Sequence, residues 1–257
     1  MISGLVFLFG LILGSFLNVC IYRLPLGQSL WGRSFCPKCK RSIFWYDNIP
    51  LLSYIILKAR CRFCRERIPF RYFLVELLSG LIAIFLFKRY GLSFNFIFYL
   101  VFFSALIIAS FIDMKHRIIP DEISLGGIFV GFVLNIFKGS TLDSLLGILI
   151  GGGIIYLTGL SFDFIYFKLL KKPPIDGETE SMGGGDVKFL AMIGAFLGWK
   201  HALLTFFIAP LLGSIFGVFN LLITKKHTIA YGPFLALASF ISFLCSKYII
   251  NFIFWKI

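Results

Sequence analysis

Long apolar runs separated by short charged links set the pattern of this chain. None of the runs shows the period-2 alternation of a β-barrel strand, so they predict helices. A membrane-crossing helix needs about 20 consecutive apolar residues. By that measure eight segments emerge, at 1–22, 72–87, 91–112, 123–137, 145–167, 189–199, 202–224 and 228–255. The expected fold class is therefore all-α, a polytopic membrane protein of about eight transmembrane helices. The segment 189–199 is the short one; at 11 residues it reads as a re-entrant or half-spanning helix as readily as a crossing. The sizeable polar stretch is 23–71, and it predicts a small domain between the first two spans. The expected organisation is helix 1 at 1–22, the polar domain at 23–71 and a helical membrane domain at 72–257.

Composition agrees with the pattern. The chain has 257 residues, 59% of them hydrophobic and 14% charged, with mean hydropathy +0.93, far outside the range of a soluble domain of this size. The first run carries no charge and lacks the basic start and small-residue cleavage site of a signal peptide, so it counts as a span. The net charge of +13 is unevenly spread. With the amino terminus outside, the inner loops hold 18 Lys and Arg and the outer ones 6, and 11 of the 18 lie in 23–71. The positive-inside rule then makes 23–71 cytoplasmic. The expected location is the plasma (inner) membrane, with the lipid bilayer as a partner and no nucleic acid.

Within 23–71 stand two C-x-x-C pairs, Cys36–Cys39 and Cys61–Cys64. A reducing cytosol disfavours disulfides, and four thiolates in paired knuckles make a tetrahedral zinc site. A loop this short has too little core to fold well alone, and four sulfur ligands leave no open position, so the metal is expected to be structural. Cys20 and Cys245 fall in apolar runs and read as core residues.

The second chemical signal is Gly183-Gly184-Gly185-Asp186, directly before the short segment. A carboxylate at a membrane boundary is costly and calls for a function. Glycines let the backbone bend and approach a ligand closely. They do not form a nucleotide loop, because no Gly-Lys-Ser or Gly-Lys-Thr follows. On the same side of the membrane, at the end of the third span, stands Asp113. Two aspartates at one level suggest an aspartic protease pair, in which one carboxylate takes a proton from water and the other hydrogen-bonds the scissile carbonyl. Among the other acids, Asp121 is expected to cap the next helix. Glu76, inside the second span, is a substrate-contact or supporting candidate. Asp176, Glu178 and Glu180 form an acidic run ahead of Asp186 that could attract a basic substrate.

Taken together these motifs resemble the type IV prepilin peptidases. Gly14-Ser15-Phe16-Leu17-Asn18-Val19 and Arg23-Leu24-Pro25 are similar to that family's opening. Cys36 to Cys39 followed by Trp45 to Tyr54, and Cys61 to Cys64 followed by Arg71 to Leu77, resemble its cytoplasmic domain. Asp113 with Ile119-Pro120-Asp121, and Gly183 to Lys188, resemble its two catalytic motifs. The resemblance implies an integral-membrane aspartic protease of the Gly-x-Gly-Asp kind. Such an enzyme removes the basic leader of prepilins or pseudopilins on the cytoplasmic side, for a type IV pilus or for protein secretion. It implies catalysis by Asp113 and Asp186 and zinc on Cys36, Cys39, Cys61 and Cys64; Gly183, Gly185, Lys188 and Glu76 are expected to position substrate or backbone. A complete cysteine domain further implies N-methylation of the new amino terminus with S-adenosylmethionine, for which no local motif marks a site. The alternatives are another Gly-x-Gly-Asp intramembrane protease, or a non-enzymatic transporter or assembly scaffold.

Overall fold

In the computed structural model, which describes residues 2–169, 183–224 and 230–245, the chain is helical, with no strand among the described residues. The helices are α1 (Ile2–Arg23), α2 (Leu52–Ile56), α3 (Arg71–Tyr90), α4 (Phe94–His116), α5 (Asp121–Lys138), α6 (Thr141–Asp163), α7 (Gly184–Leu197), α8 (Trp199–Thr224) and α9 (Gly232–Cys245). Each of the eight apolar segments expected from the sequence carries one helix, and α2 lies in the polar stretch. Among the described residues four stretches are long and apolar enough to cross a membrane: Ile2–Leu26, Phe94–His116, Thr141–Tyr166 and Trp199–Phe219. The chain divides into two compact units, 1–108 and 109–257, with the division falling inside α4.

In the first unit α1 and α3 pack closely through small residues. A β-carbon placed on Gly10 would stand 2.8 Å from the Gly80 Cα, and one on Gly14 would stand 2.7 Å from the Glu76 Cα. Glycines four apart on α1 thus let two backbones meet where hydrocarbon offers no hydrophobic drive. The Asn18 amide donates to the Tyr72 carbonyl at 3.0 Å and ties the two helices at their polar end. Arg23, buried at the close of α1, donates to the carbonyls of Ser29, Trp31 and Arg33 at 2.9–3.0 Å and folds the following loop back on itself.

The second unit is built around α7. From Phe189 to Phe196 every residue of this helix is buried, so it is apolar on all sides and faces protein, not lipid. It packs on α5, α6, α8 and α9. Against α6 the approach is backbone to backbone: a β-carbon on Gly194 would lie 2.0 Å from the Gly147 carbonyl oxygen, and one on Gly151 would lie 2.7 Å from that of Leu190. On the other side Gly127 and Gly131 of α5 make room for Met192 and Phe196. The last carbonyls of a helix have no partner within it. Here Asn135 Nδ2 and Ser144 Oγ each donate to the Ala195 carbonyl at 2.7 Å. Gly198, at φ 86°, then turns the chain into α8.

These contacts enclose the short segment in protein. At 14 residues α7 is about 21 Å long, less than the ~30 Å hydrocarbon thickness. Its length is set by its protein neighbours. The expected segment 228–255 is described as Gly232–Cys245, and the acidic run Asp176, Glu178 and Glu180 lies outside the described residues.

Candidate active site and metal centre

Asp113 belongs to the last turn of α4 and is buried, 6% exposed. The turn after it closes through the Arg117 amide, which donates to the Asp113 carbonyl at 2.9 Å, with Arg117 at φ 56°. The Asp113 side chain reaches a different helix end. Its Oδ2 accepts the Gly232 amide at 2.8 Å, 119 residues away in sequence. That amide opens α9 and is one of the donors a helix start leaves unpaired. The approach is so close that a β-carbon on residue 232 would fall 2.9 Å from Oδ2, so a side chain there would force the carboxylate to shift.

Asp186 is the third residue of α7, after Gly184 and Gly185, with Gly183 in extended conformation at the cap. A β-carbon on Gly183 would lie 3.6 Å from Asp186 Oδ2, and one on Gly185 would meet the Ile119 Cβ at 3.3 Å. The glycines therefore lie beside the carboxylate on one side and the Ile119-Pro120 turn on the other. Asp113 stands close enough for its charge to act on Asp186. The second unit thus brings the two aspartates together at the starts of α9 and α7.

One expectation changes. Asp121 does not cap α5: the cap position is Pro120, and Asp121 is the first helical residue, with no side-chain hydrogen bond to the helix start. The proline explains it, since its missing N–H suits the end of a helix and its extended conformation turns the chain in. Asp121 instead accepts Lys188 Nζ at 2.6 Å, an exposed pair that links α5 to α7. Glu76 lies in the first unit. Its Oε2 accepts the Leu51 amide at 2.9 Å, at a point where the backbone takes a positive φ of 60°. This hydrogen bond ties the polar stretch to α3. Sequence reasoning missed Gly232; the available signal was a Gly-Pro step at the mouth of an apolar run.

In the first unit the four cysteines of 36–64 converge, with all four sulfurs within 4.8 Å of one another. Cys36 Sγ and Cys64 Sγ are 3.8 Å apart. Four sulfurs at ~2.3 Å from a tetrahedral zinc would also stand about 3.8 Å apart. The two knuckles repeat one pattern 25 residues apart. The Lys40 amide donates to Cys36 O and Cys36 N to Arg41 O; the Arg65 amide donates to Cys61 O and Cys61 N to Glu66 O. Phe35 bridges Ser42 as Arg60 bridges Arg67. Lys40 and Arg65 both turn with positive φ, 59° and 57°. Ion pairs Lys38–Glu66 and Arg62–Asp47, the latter bidentate at 2.6–2.7 Å, join the halves and use both acids of the stretch. Burial raises the Cys61 thiol, but the Cys64 and Phe63 amides and the Cys36 and Cys64 thiols outweigh it and bring it to about 7. The Glu66 amide lowers Cys64, but desolvation and the neighbouring thiols push it up to about 11. Four sulfur donors gathered in this way suit a cation such as zinc.

Residues 8–90 match the family model described as Bacterial Peptidase A24 N-terminal domain, and residues 100–218 match that of the Type IV leader peptidase family. Relatives named prepilin leader peptidase/N-methyltransferase include that of Myxococcus xanthus, 38% identical over 221 residues, which cover 86% of this chain and 63% of the relative. The chain thus spans under two thirds of that relative's length. The protein of the same name from Aeromonas salmonicida is 34% identical, covering 94% of this chain and 90% of the relative. That from Pseudomonas aeruginosa is 35% identical, covering 92% and 88%. No solved structure matches the chain.

Proposed function

Because this chain belongs to the type IV leader peptidase family, we propose that it removes the basic leader of type IV prepilins or pseudopilins through Asp113 and Asp186 and then methylates the amino terminus it has exposed. The observation that carries the proteolytic half is the meeting of these two carboxylates in one unit, with Asp113 fixed by the Gly232 amide and Asp186 by its position in the first turn of α7. One carboxylate accepts a proton from water as the water oxygen bonds to the scissile carbonyl carbon. The other, protonated, hydrogen-bonds the carbonyl oxygen. Collapse breaks the C–N bond, and a carboxyl proton passes to the departing amine. Gly183 leaves room beside Asp186 for an extended substrate backbone, and Gly185 lets α7 start close to Ile119. Lys188 supports the pair through Asp121, and Glu76 supports the polar stretch through Leu51.

Cys36, Cys39, Cys61 and Cys64 would hold zinc as a closed structural site, because four sulfurs leave no position for a water. S-adenosylmethionine would supply the methyl group, and the chain's task is to present the new amine once the leader has gone. The lysine and arginine excess in 23–71 supports a cytoplasmic face for this chemistry in the inner membrane.

The test uses the full chain in lipid nanodiscs with a synthetic prepilin, following leader loss and methyl transfer by mass spectrometry. Asp113→Asn and Asp186→Asn should each abolish leader loss while keeping the melting temperature. Retention of most of the cleavage rate by either variant would refute the assignment.

A further inference from the structure

Tyr231 precedes α9, and its carbonyl accepts the Phe234 and Leu235 amides at 3.0 and 3.2 Å, so its backbone is fixed to the helix start. The next residue, Gly232, is fixed to Asp113. A β-carbon on Gly213 of α8 would lie 3.9 Å from Tyr231 Cε2, ordinary van der Waals contact, so the ring stands beside α8. The phenolic oxygen is buried and has no hydrogen-bond partner among the described residues. A buried hydroxyl without a partner is uncommon and demands an explanation. It lies near enough to Asp186 for that carboxylate's charge to act on it. A donor with an unused hydrogen bond thus stands one residue from the amide that anchors Asp113, within electrostatic reach of Asp186.

We infer that Tyr231 is a third catalytic group of the aspartate pair, and that its phenol donates a hydrogen bond to the scissile carbonyl oxygen as that oxygen becomes negative. The inference rests on the assignment of Asp113 and Asp186 given above. A donor aimed at developing charge acts mainly on the chemical step, because its bond strengthens most in the transition state. Tyrosine is suited to this place, since its ring packs as an apolar body while its tip donates. Gly232 is then a positioning residue, holding Asp113 where the same oxygen can be reached from the other side.

The test is Tyr231→Phe in the full chain in nanodiscs, with kcat and KM for a synthetic prepilin measured separately. Loss of one such donor should lower kcat by roughly 10²-fold with KM within about twofold. Methylation of a pilin peptide supplied without its leader should stay at the wild-type rate, a readout that general misfolding would not spare. A kcat loss of less than about tenfold, or an effect confined to KM, would overturn the inference. Gly232→Ala should also lose cleavage, because its β-carbon would displace Asp113; retained cleavage there would remove the positioning role. The Asp113→Asn and Asp186→Asn controls separate the two levels. If they still cleave, the pair itself is misassigned; if they are inactive and Tyr231→Phe is not impaired, Tyr231 alone fails.

Discussion

The cysteine stretch between α1 and α3 and the helix α7 are ordered by opposite means. Between residues 24 and 70 only Cys36 and Ser53 are buried. The stretch holds its shape through knuckle turns, two ion pairs, the Arg23 and Glu76 hydrogen bonds and a sulfur cluster. In α7 eight of 14 residues are buried, and its order comes from packing, glycine against glycine, with polar side chains only at its two ends. A polar stretch with no core needs cross-links, whereas a helix enclosed by other helices needs small residues. Each region should therefore fail to a different insult.

The largest effect should come from Asp186→Asn at the start of α7, which should take leader cleavage below detection and leave the cysteine stretch undisturbed in hydrogen exchange. Next is metal removal. Chelation, or Cys36→Ser with Cys39→Ser, should make amides 24–70 exchange quickly while amides 184–197 remain protected. Methylation should fall more than cleavage. Zinc binding of this type is worth on the order of 10 kcal/mol in isolated peptides, so exchange should respond strongly. Equal loosening of both regions would end the distinction drawn here. Third, Gly194→Ala drives a methyl group against the Gly147 carbonyl and should cost about 1–3 kcal/mol of stability, read as a lower melting temperature, with zinc content unchanged. The smallest effect should come from Lys188→Met. Its pair with Asp121 is exposed, so the loss should stay below about 1 kcal/mol and shrink further at high salt. A large cleavage defect in that variant, with unchanged stability, would give Lys188 a direct role with substrate.

Much of this was legible in the sequence because the signals are local. The apolar runs located every long helix, the paired C-x-x-C spacing announced a sulfur cluster, and the three glycines before Asp186 marked a special helix start. What escaped was carried by contacts between distant residues. The Gly232 amide meets Asp113 across 119 positions, and Lys188 finds Asp121 across 67, so no window along the chain contains either pair. Asp121 misled for a further reason. An acid just after Pro120 satisfies the composition rule for a cap, but proline already occupied the position. The burial of α7 was hidden too, since an apolar run shows that a segment avoids water and says nothing about whether lipid or protein replaces it.

The enclosure of α7 has a consequence for how the protein responds to its surroundings. Helices that face lipid must match the thickness of the bilayer by tilting, stretching or thinning it. A 14-residue helix sheathed by α5, α6, α8 and α9 carries no such obligation, because its ends are set by protein groups such as Asn135 and Ser144. Changes in acyl-chain length would be taken up by the outer helices, and the carboxylate at its head would keep its place. Turnover measured across nanodiscs of graded thickness should stay nearly level, making this chemistry tolerant of the changes in lipid composition that accompany shifts in growth temperature.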